Sequence, residues 1–445
     1  MIGFLGLLLG MFAIGVMQLI LATALPFIVV EIGGGSMYSL IFSGYMLASI
    51  ATIPLFSKLA DIYGKKRFFI LGMGIFAIGS IYGGLAPSMT HLIVARVIQG
   101  LGAGIITPVA MAMITDMFPL EKRGNMIGVF GFIQLLSNLL SPPLGSFITK
   151  QLGWHWIFFL TTLMVAISIL LVALGGTHEE SKTSLKPSDI DIVGGLIFGG
   201  FCVLMVSFSK VVSRQTKWNI SGTLFLLAAV IAAVLLTINE KHHKNPVIKV
   251  EFLKNKIIRS SIISSILTGA IMYGLITILP LCGVVLSNQG FKIDESKILL
   301  LFMIGITIGL LTTSRITGKI KSKNITRSLW IVISVASILM LYSISAGNLI
   351  LFNFSNVMVG LCTGGIMATF LINSQNAISS EDRTVLSGLI QLGRYFGASL
   401  GVTVLTGMLP EINIISSIHQ FLGAFGILVA LCVSGLINEL ISYYI

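Results

Sequence analysis

The sequence predicts an all-α polytopic membrane protein, built as two six-helix bundles with two further helices inserted between them, fourteen transmembrane helices in all. Three observations carry that expectation. Runs of about twenty apolar residues recur along the whole 445-residue chain, each long enough to cross a hydrocarbon core of ~30 Å. Only 10% of the residues are charged and 55% are hydrophobic, whereas a soluble domain uses roughly 25% charged residues to cover its surface. The second half of the chain also repeats marks of the first at a constant spacing.

Charged residues, Pro, Gly and Asn divide the chain into fourteen apolar segments. The first, 3–30, lies in "MIGFLGLLLGMFAIGVMQLILATALPF". It lacks a basic leader and a small-residue cleavage site, which predicts a spanning helix and not a removed signal. Segments 37–57, 67–87, 90–114, 124–148 and 154–175 complete a first set of six, and 190–212 with 219–238 form a pair. Segments 258–287, 296–316, 326–346, 349–373, 383–409 and 417–441 make a second set of six. The expected domains are 1–176, an N-terminal six-helix bundle; 177–257, cytoplasmic linkers around the inserted pair; and 258–445, a C-terminal six-helix bundle.

With the N-terminus placed inside, the inner loops hold twenty of the 28 Lys and Arg residues and the outer loops five. That bias predicts a multi-pass plasma-membrane protein with both termini in the cytoplasm. The net charge of +12 is then an orientation signal, and lipid rather than nucleic acid is the expected partner. Cys202, Cys282, Cys362 and Cys432 fall in apolar segments without CxxC or Cys/His spacing. They read as packing residues, and no metal site is expected.

Sliding the sequence by 260 positions brings a second copy into register. Gly100, Leu101 and Gly104 in "GLGAGIIT" meet Gly360, Leu361 and Gly364 in "GLCTGGIM". Glu121, Arg123 and Gly128 meet Glu381, Arg383 and Gly388, and Arg67 meets Arg327. Two halves of the same orientation are implied, the architecture of transporters that alternate access by rocking one bundle against the other. No HExxH, GxSxG or Walker loop is present, so an enzyme is not expected. "GLGAG" follows no strand, and its glycines are spaced for close helix packing, not for phosphate. A non-transporting membrane sensor is the alternative from another class.

Two stretches concentrate polar residues. "SKLADIYGKKR", Ser57 to Arg67, puts Asp61 near an inner helix end, followed by the turn glycine Gly64 and a basic cluster that includes Lys65 and Arg67. It reads either as a solvated positive-inside turn or as a cytoplasmic gate in which Asp61 faces a helix N-terminus such as the one near Arg383. "RVIQGLGAG" plants Arg96 in a run, Ala86 to Thr115, whose only other ionisable side chain is His91.

These stretches match "GxLaDrxGrkr", with Ser57 replacing the first glycine, and "RxxQGxGaG", met by Arg96, Gln99, Gly100, Gly102 and Gly104. With "ALPFIVVEIG" ending the first helix and "GWHWIFF" opening the sixth, the chain resembles the major facilitator superfamily over essentially its whole length. Within it, the resemblance is to the fourteen-helix drug:proton antiporter family. It implies the major facilitator fold and efflux of several amphipathic, cationic drugs from a bacterial cell. The proton gradient is the expected driving force, with no cofactor, and the carrier is expected to be a monomer. A dedicated carrier of one metabolite or one tetracycline-like antibiotic stays open. The fifth-helix antiporter signature "GxxxGPxxGG" appears as "SNLLSPPLGS", keeping Pro142 and Gly145 with serine at Ser137, Ser141 and Ser146. The first-helix aspartate of "LDxTIVNVALP" is replaced by Met17, flanked by Gln18.

No carboxylate falls at mid-membrane. Arg96 lies about six residues from the outer end of its segment, roughly 9 Å deep at ~1.5 Å per residue. Glu31, in the same leaflet, is the expected partner, directly or through water or Gln18, so Glu31, Arg96 and Asp61 are the candidates for proton coupling. Arg394 lies deep in segment 383–409, where a charge faces a cavity rather than lipid. Gln18, Tyr45, Gln134, Asn138, Met272, Tyr273, Gln391, Arg394 and Tyr395 are the candidate cavity lining, polar, aromatic or flexible enough to take varied shapes.

Overall fold

The computed structural model describes residues 2–118, 120–175, 191–214, 220–243, 250–289, 295–317, 320, 322–378, 383–410, 415 and 417–444. Each apolar segment is a helix. The first six are α1 (Ile2–Ile32), α2 (Tyr38–Tyr63), α3 (Lys65–Gly84), α4 (Met89–Met117), α5 (Leu120–Gln151) and α6 (His155–Leu174). The inserted pair is α7 (Ile192–Arg214) and α8 (Ile220–His242). After a single turn, α9 (Val250–Lys254), come α10 (Lys256–Asn288), α11 (Glu295–Ile316), α12 (Ser322–Ser345), α13 (Leu349–Asn376), α14 (Arg383–Gly407) and α15 (Leu422–Tyr444). No strand occurs among the described residues. Helices are the expected solution in hydrocarbon, because every backbone N–H and C=O must be satisfied within its own segment.

Among the described residues, twelve helices are long and apolar enough to cross a membrane. The two long helices outside that set, α5 and α14, are partners in the repeat, and they carry Gln134, Asn138, Gln391 and Arg394. Helix ends differ from the apolar segments by a few residues. α5, for instance, starts at Leu120 rather than at 124, because hydropathy marks the bilayer and not the last hydrogen-bonded turn. The turn α9 was not anticipated. It leads into Asn255, whose Oδ1 accepts from the backbone of Ile257 at 3.0 Å and caps α10.

Contacts divide the chain into two compact units. One holds Met1–Leu204 with Leu227–Ile248, the other Met205–Leu226 with Lys249–Ile445. The inserted helices α7 and α8 therefore each contribute a portion to each unit. In the first unit, Asp191 ties their ends together. Its Oδ1 accepts from Gly194 N at 2.7 Å and its two oxygens accept from Asn239 Nδ2 at 2.9 and 2.8 Å.

The two units pack alike. In the first, α4 lies against α2 and α3, α1 against α5 and α6, and α3 against α6. In the second, α13 lies against α11 and α12, α10 against α14 and α15, and α12 against α15. Each relation maps onto its counterpart through the repeat. Pro26 of α1 and Pro280 of α10 are one such pair, and Gly15 and Gly269 another, each 254 residues apart.

The repeated glycines explain the close approach. Gly100 sits against the main chain of Tyr45, and a Cβ at Gly104 would come within 2.6 Å of the Ser49 carbonyl on α2. Gly102, on the other face, would meet Gly72 O of α3 at 2.6 Å. In the second unit Gly360 and Gly364 press on the carbonyls of Phe302 and Ile306 of α11. The "GLGAG" stretch is thus a packing motif, as its spacing predicts. The four cysteines are buried and unpaired.

Candidate functional site

Arg96 is fully buried on α4. Its Nη1 donates to Gln99 Oε1 at 2.7 Å, Gln99 Nε2 donates to Ser80 Oγ at 2.8 Å, and Ser80 donates to Phe76 O at 2.9 Å. Its Nε reaches across to Ile41 O of α2 at 3.3 Å, and its guanidinium carbon stands 4.2 Å from the centre of the Tyr45 ring. The three-residue spacing of Arg96 and Gln99 puts both on one helix face, and Gly79 of α3, whose Cβ would meet Gln99 at 2.8 Å, lets that face come close. Nη2 has no hydrogen-bond partner among the described residues.

Glu31 is not that partner. It lies exposed at the end of α1, where Oε2 accepts from Trp154 Nε1 at 2.9 Å. Trp154 is buried and stacks on His155 with ring centres 3.7 Å apart. Among the described residues no ion pair joins Glu31 to Arg96, so the expected direct pairing is corrected. The reason is geometric. Arg96 is drawn along its own helix to Gln99 and sideways onto Tyr45, while the indole of the α6 entrance claims the carboxylate. Gln18, suggested as a bridge, is buried in α1.

At the other end of α2, Gly64 turns the chain into α3 with φ of 107°, a left-handed backbone that glycine adopts without strain. Lys65 Nζ then sits 3.5 Å from Asp61 Oδ1 and 2.6 Å from Asp116 Oδ2. The lysine bridges the end of α2 to the end of α4. Burial pushes the Asp61 carboxyl above its usual value of 3.8, against the attraction of Lys65. Lys66 donates to the carbonyls of Ala173 and Gly175 at 3.0 and 3.1 Å, closing the end of α6. Arg67 is exposed. Arg383 opens α14, and its side chain lies outside the described residues.

The remaining candidates gather at two equivalent crossings. Where α1 meets α5, a Cβ at Gly15 would touch Ser137 Oγ at 2.6 Å and Gln134 Nε2 at 2.8 Å. Half-buried Gln134 donates to Asn138 at 3.3 Å, Ser141 donates to Val16 O at 3.3 Å, and buried Gly145 packs on Ile20, beyond buried Pro142. Where α10 meets α14, Gly269 lies on the carbonyl of Arg394, while Gly397 and Gly401 lie on those of Ile266 and Ala270. Ser141 thus stands where the second unit has Gly401, and it keeps the close approach with its hydroxyl bonded across the seam. Arg394 Nη2 donates to Gln391 Oε1 at 2.6 Å, and its guanidinium carbon is 5.8 Å from the centre of the Tyr395 ring. Met272 and Tyr273 are buried in α10.

Sequence reasoning missed Ser80, Asp116 and Trp154 as partners. Trp154 stood in "GWHWIFF", where its indole N–H, an obligate donor when buried, was the available signal.

The sequence profile of the Major Facilitator Superfamily matches residues 7–402. The chain is 30% identical over 412 residues to "Multidrug resistance protein 3" of Bacillus subtilis (strain 168), covering 90% of this chain and 78% of that one. It is 28% identical over 403 residues to "Multidrug efflux pump SdrM" of Staphylococcus aureus (strain N315), covering 90% and 87%. Among solved structures, a D-xylose–proton symporter superposes with a TM-score of 0.70 at 12% identity, covering 99% of this chain and 96% of that one. The chain belongs to the major facilitator superfamily. It is a multi-pass membrane transporter of small molecules with the fold of that superfamily.

Proposed function

We propose that the protein exports several amphipathic drugs across a bacterial plasma membrane by alternating access. The proton gradient drives it, no cofactor is needed, and it works as a monomer with both termini in the cytoplasm. The observation that carries this reading is the likeness, over 90% of the chain, to relatives named for multidrug resistance and efflux. Arg96 supports a coupling role for the first unit, because a charge held in hydrocarbon is costly and in transporters marks ion and proton paths. Glu31 is the proposed proton-exchanging acid at the Trp154 end. Asp61 is the acid of a cytoplasmic gate that it forms with Gly64, Lys65 and Arg67 at the opposite end of α2. Gln18, Tyr45, Gln134 and Asn138 serve the substrate path in the first unit, and Met272, Tyr273, Gln391, Arg394 and Tyr395 in the second.

Everted vesicles test the reading. Adding a transported drug should release protons from energised wild-type vesicles. Glu31→Gln keeps an acceptor for Trp154 Nε1 but removes the charge, and should cut proton-linked export by about tenfold or more. Unchanged export by that variant would remove Glu31 from the mechanism, and export without proton movement would remove the coupling.

A further inference from the structure

The crossing of α10 and α14 carries a positive charge, Arg394, for which no ion pair is found among the described residues. Arg394 stands midway along α14, half-buried, with three neutral neighbours: Gln391, Tyr395 and Tyr273, the last near enough for the arginine's charge to act on it. Its Nε is buried without a hydrogen-bond partner among the described residues. The ion pairs of Lys65 with Asp61 and Asp116 do not involve Arg394. An uncompensated guanidinium in a membrane span is costly, so its presence calls for a reason.

Helix packing does not supply one. Arg96 behaves as a clamp, with Nε bonded to a main-chain carbonyl of the neighbouring helix. Arg394 makes no such bond among the described residues, and its recorded hydrogen bond goes to a side chain one turn away on its own helix. The equivalent crossing in the first unit uses Gln134, a neutral amide bonded to Asn138, so the seam can be built without charge. Meanwhile Gly269 seats α10 on the Arg394 main chain. That fixes the root of the side chain, while its head is held by Gln391 of the same helix, the arrangement that a preorganised binding group needs.

The acids of the described spans are elsewhere. Glu31 is at a helix end, engaged by Trp154, and Glu240 and Glu439 lie in the last turns of α8 and α15. Asp191, Asp61 and Asp116 are engaged by Asn239 and Lys65. A permanent cation, the substrate class that the family resemblance implies, would find no counter-charge in the middle of α10 or α14. A molecule bearing an anionic oxygen would find a guanidinium donor edge beside the Tyr395 ring.

We infer that Arg394 and its neighbours Gln391, Tyr273 and Tyr395 bind an anionic group of the transported molecule, a carboxylate above all. The preferred substrates are then amphipathic acids and zwitterions with a planar aromatic body. This rests on the export reading above and names its substrate class.

Tetramethylrhodamine and its methyl ester form the test pair, since they share one cationic ring system and differ only in the free carboxylate. Binding is read by fluorescence polarisation on the purified full-length protein, and export by everted vesicles. The wild type should favour the acid over the ester. Arg394→Gln should weaken binding of the acid by about tenfold or more while leaving the ester unchanged, and Arg394→Lys should keep part of the preference. Equal or tighter binding of the ester by the wild type overturns the inference. So does an Arg394→Gln loss shared by both dyes, which would make the arginine structural. Binding of the acid without its movement in vesicles overturns the export reading alone, and binding of neither dye overturns both.

Discussion

Arg96 on α4 and Asn356 on α13, 260 residues apart, make the same contact. Arg96 Nε donates to Ile41 O at 3.3 Å, and Asn356 Nδ2 donates to Ile298 O at 2.8 Å. Each pins its helix to the neighbouring α2 or α11, and in the second unit an uncharged amide is enough. What Arg96 adds is its charge, its bond to Gln99 and its stacking on Tyr45. The second unit has Val359 and Phe302 at the corresponding places.

Arg96→Asn should therefore keep the clamp and lower stability by less than Arg96→Ala does, while removing the charge. Arg96→Ala should cost about 2–4 kcal/mol, because the bonds to Ile41 O and Gln99 Oε1 and the packing on Tyr45 are all lost and a cavity is left. Thermal unfolding of the purified protein in detergent separates the two. If the asparagine variant melts as early as the alanine variant, the guanidinium itself holds the fold.

Gly104→Leu should destabilise the contact of α4 with α2 by about 1–3 kcal/mol, since even a Cβ there would lie 2.6 Å from Ser49 O. Gly128→Ala and Gly388→Ala, where a Cβ meets nothing within 4 Å, should leave the melting temperature unchanged or slightly raised. A harmless Gly104→Leu would mean that the two helices separate without cost.

The equivalent glycines Gly15 and Gly269 should respond unequally to alanine. At Gly15 the nearest atoms are the side-chain ends of Ser137 and Gln134, which can rotate away, so the loss should stay below about 1 kcal/mol. At Gly269 the obstacle is the carbonyl of Arg394, which can move only with its helix. Gly269→Ala should then cost more stability than Gly15→Ala and also displace Arg394, which acid-dye binding would register. Equal melting shifts would contradict the packing described for α10 and α14.

The Asp61–Lys65–Asp116 cluster should make stability depend on pH. Because burial raises Asp61 above 3.8, the folded chain holds that proton more tightly than the unfolded chain. Its contribution to folding is complete below 3.8 and is lost as pH rises through the raised folded value. Melting curves across that acidic range should flatten in Asp61→Asn. Lys65→Met removes the attraction that opposes the shift, so its transition should move to higher pH. A Lys65→Met curve that overlays the wild type would show that the lysine does not act on Asp61.

The fold was legible because the bilayer imposes long apolar runs and because glycines recur where backbones must touch. Gly100 and Gly360 announced their contacts by spacing alone. The partners of the charges were less legible. An arginine at Arg96 can reach a turn of its own helix or either adjacent helix, and only packing chooses among Gln99, Ile41 and Glu31. Trp154 lies 123 residues from Glu31, with no periodicity linking them. The charge of Arg394 was visible in the sequence. That its neighbours leave it unneutralised required the helices to be in place.

The burial of Cys202, Cys282, Cys362 and Cys432 has a practical consequence. A membrane-impermeant thiol reagent should find nothing to modify on the native chain, so the unaltered protein serves as its own blank for site-directed spin or fluorophore labelling. A single cysteine placed at an exposed site such as Arg67 or Val30 would then report the movement of its helix during transport against a silent background.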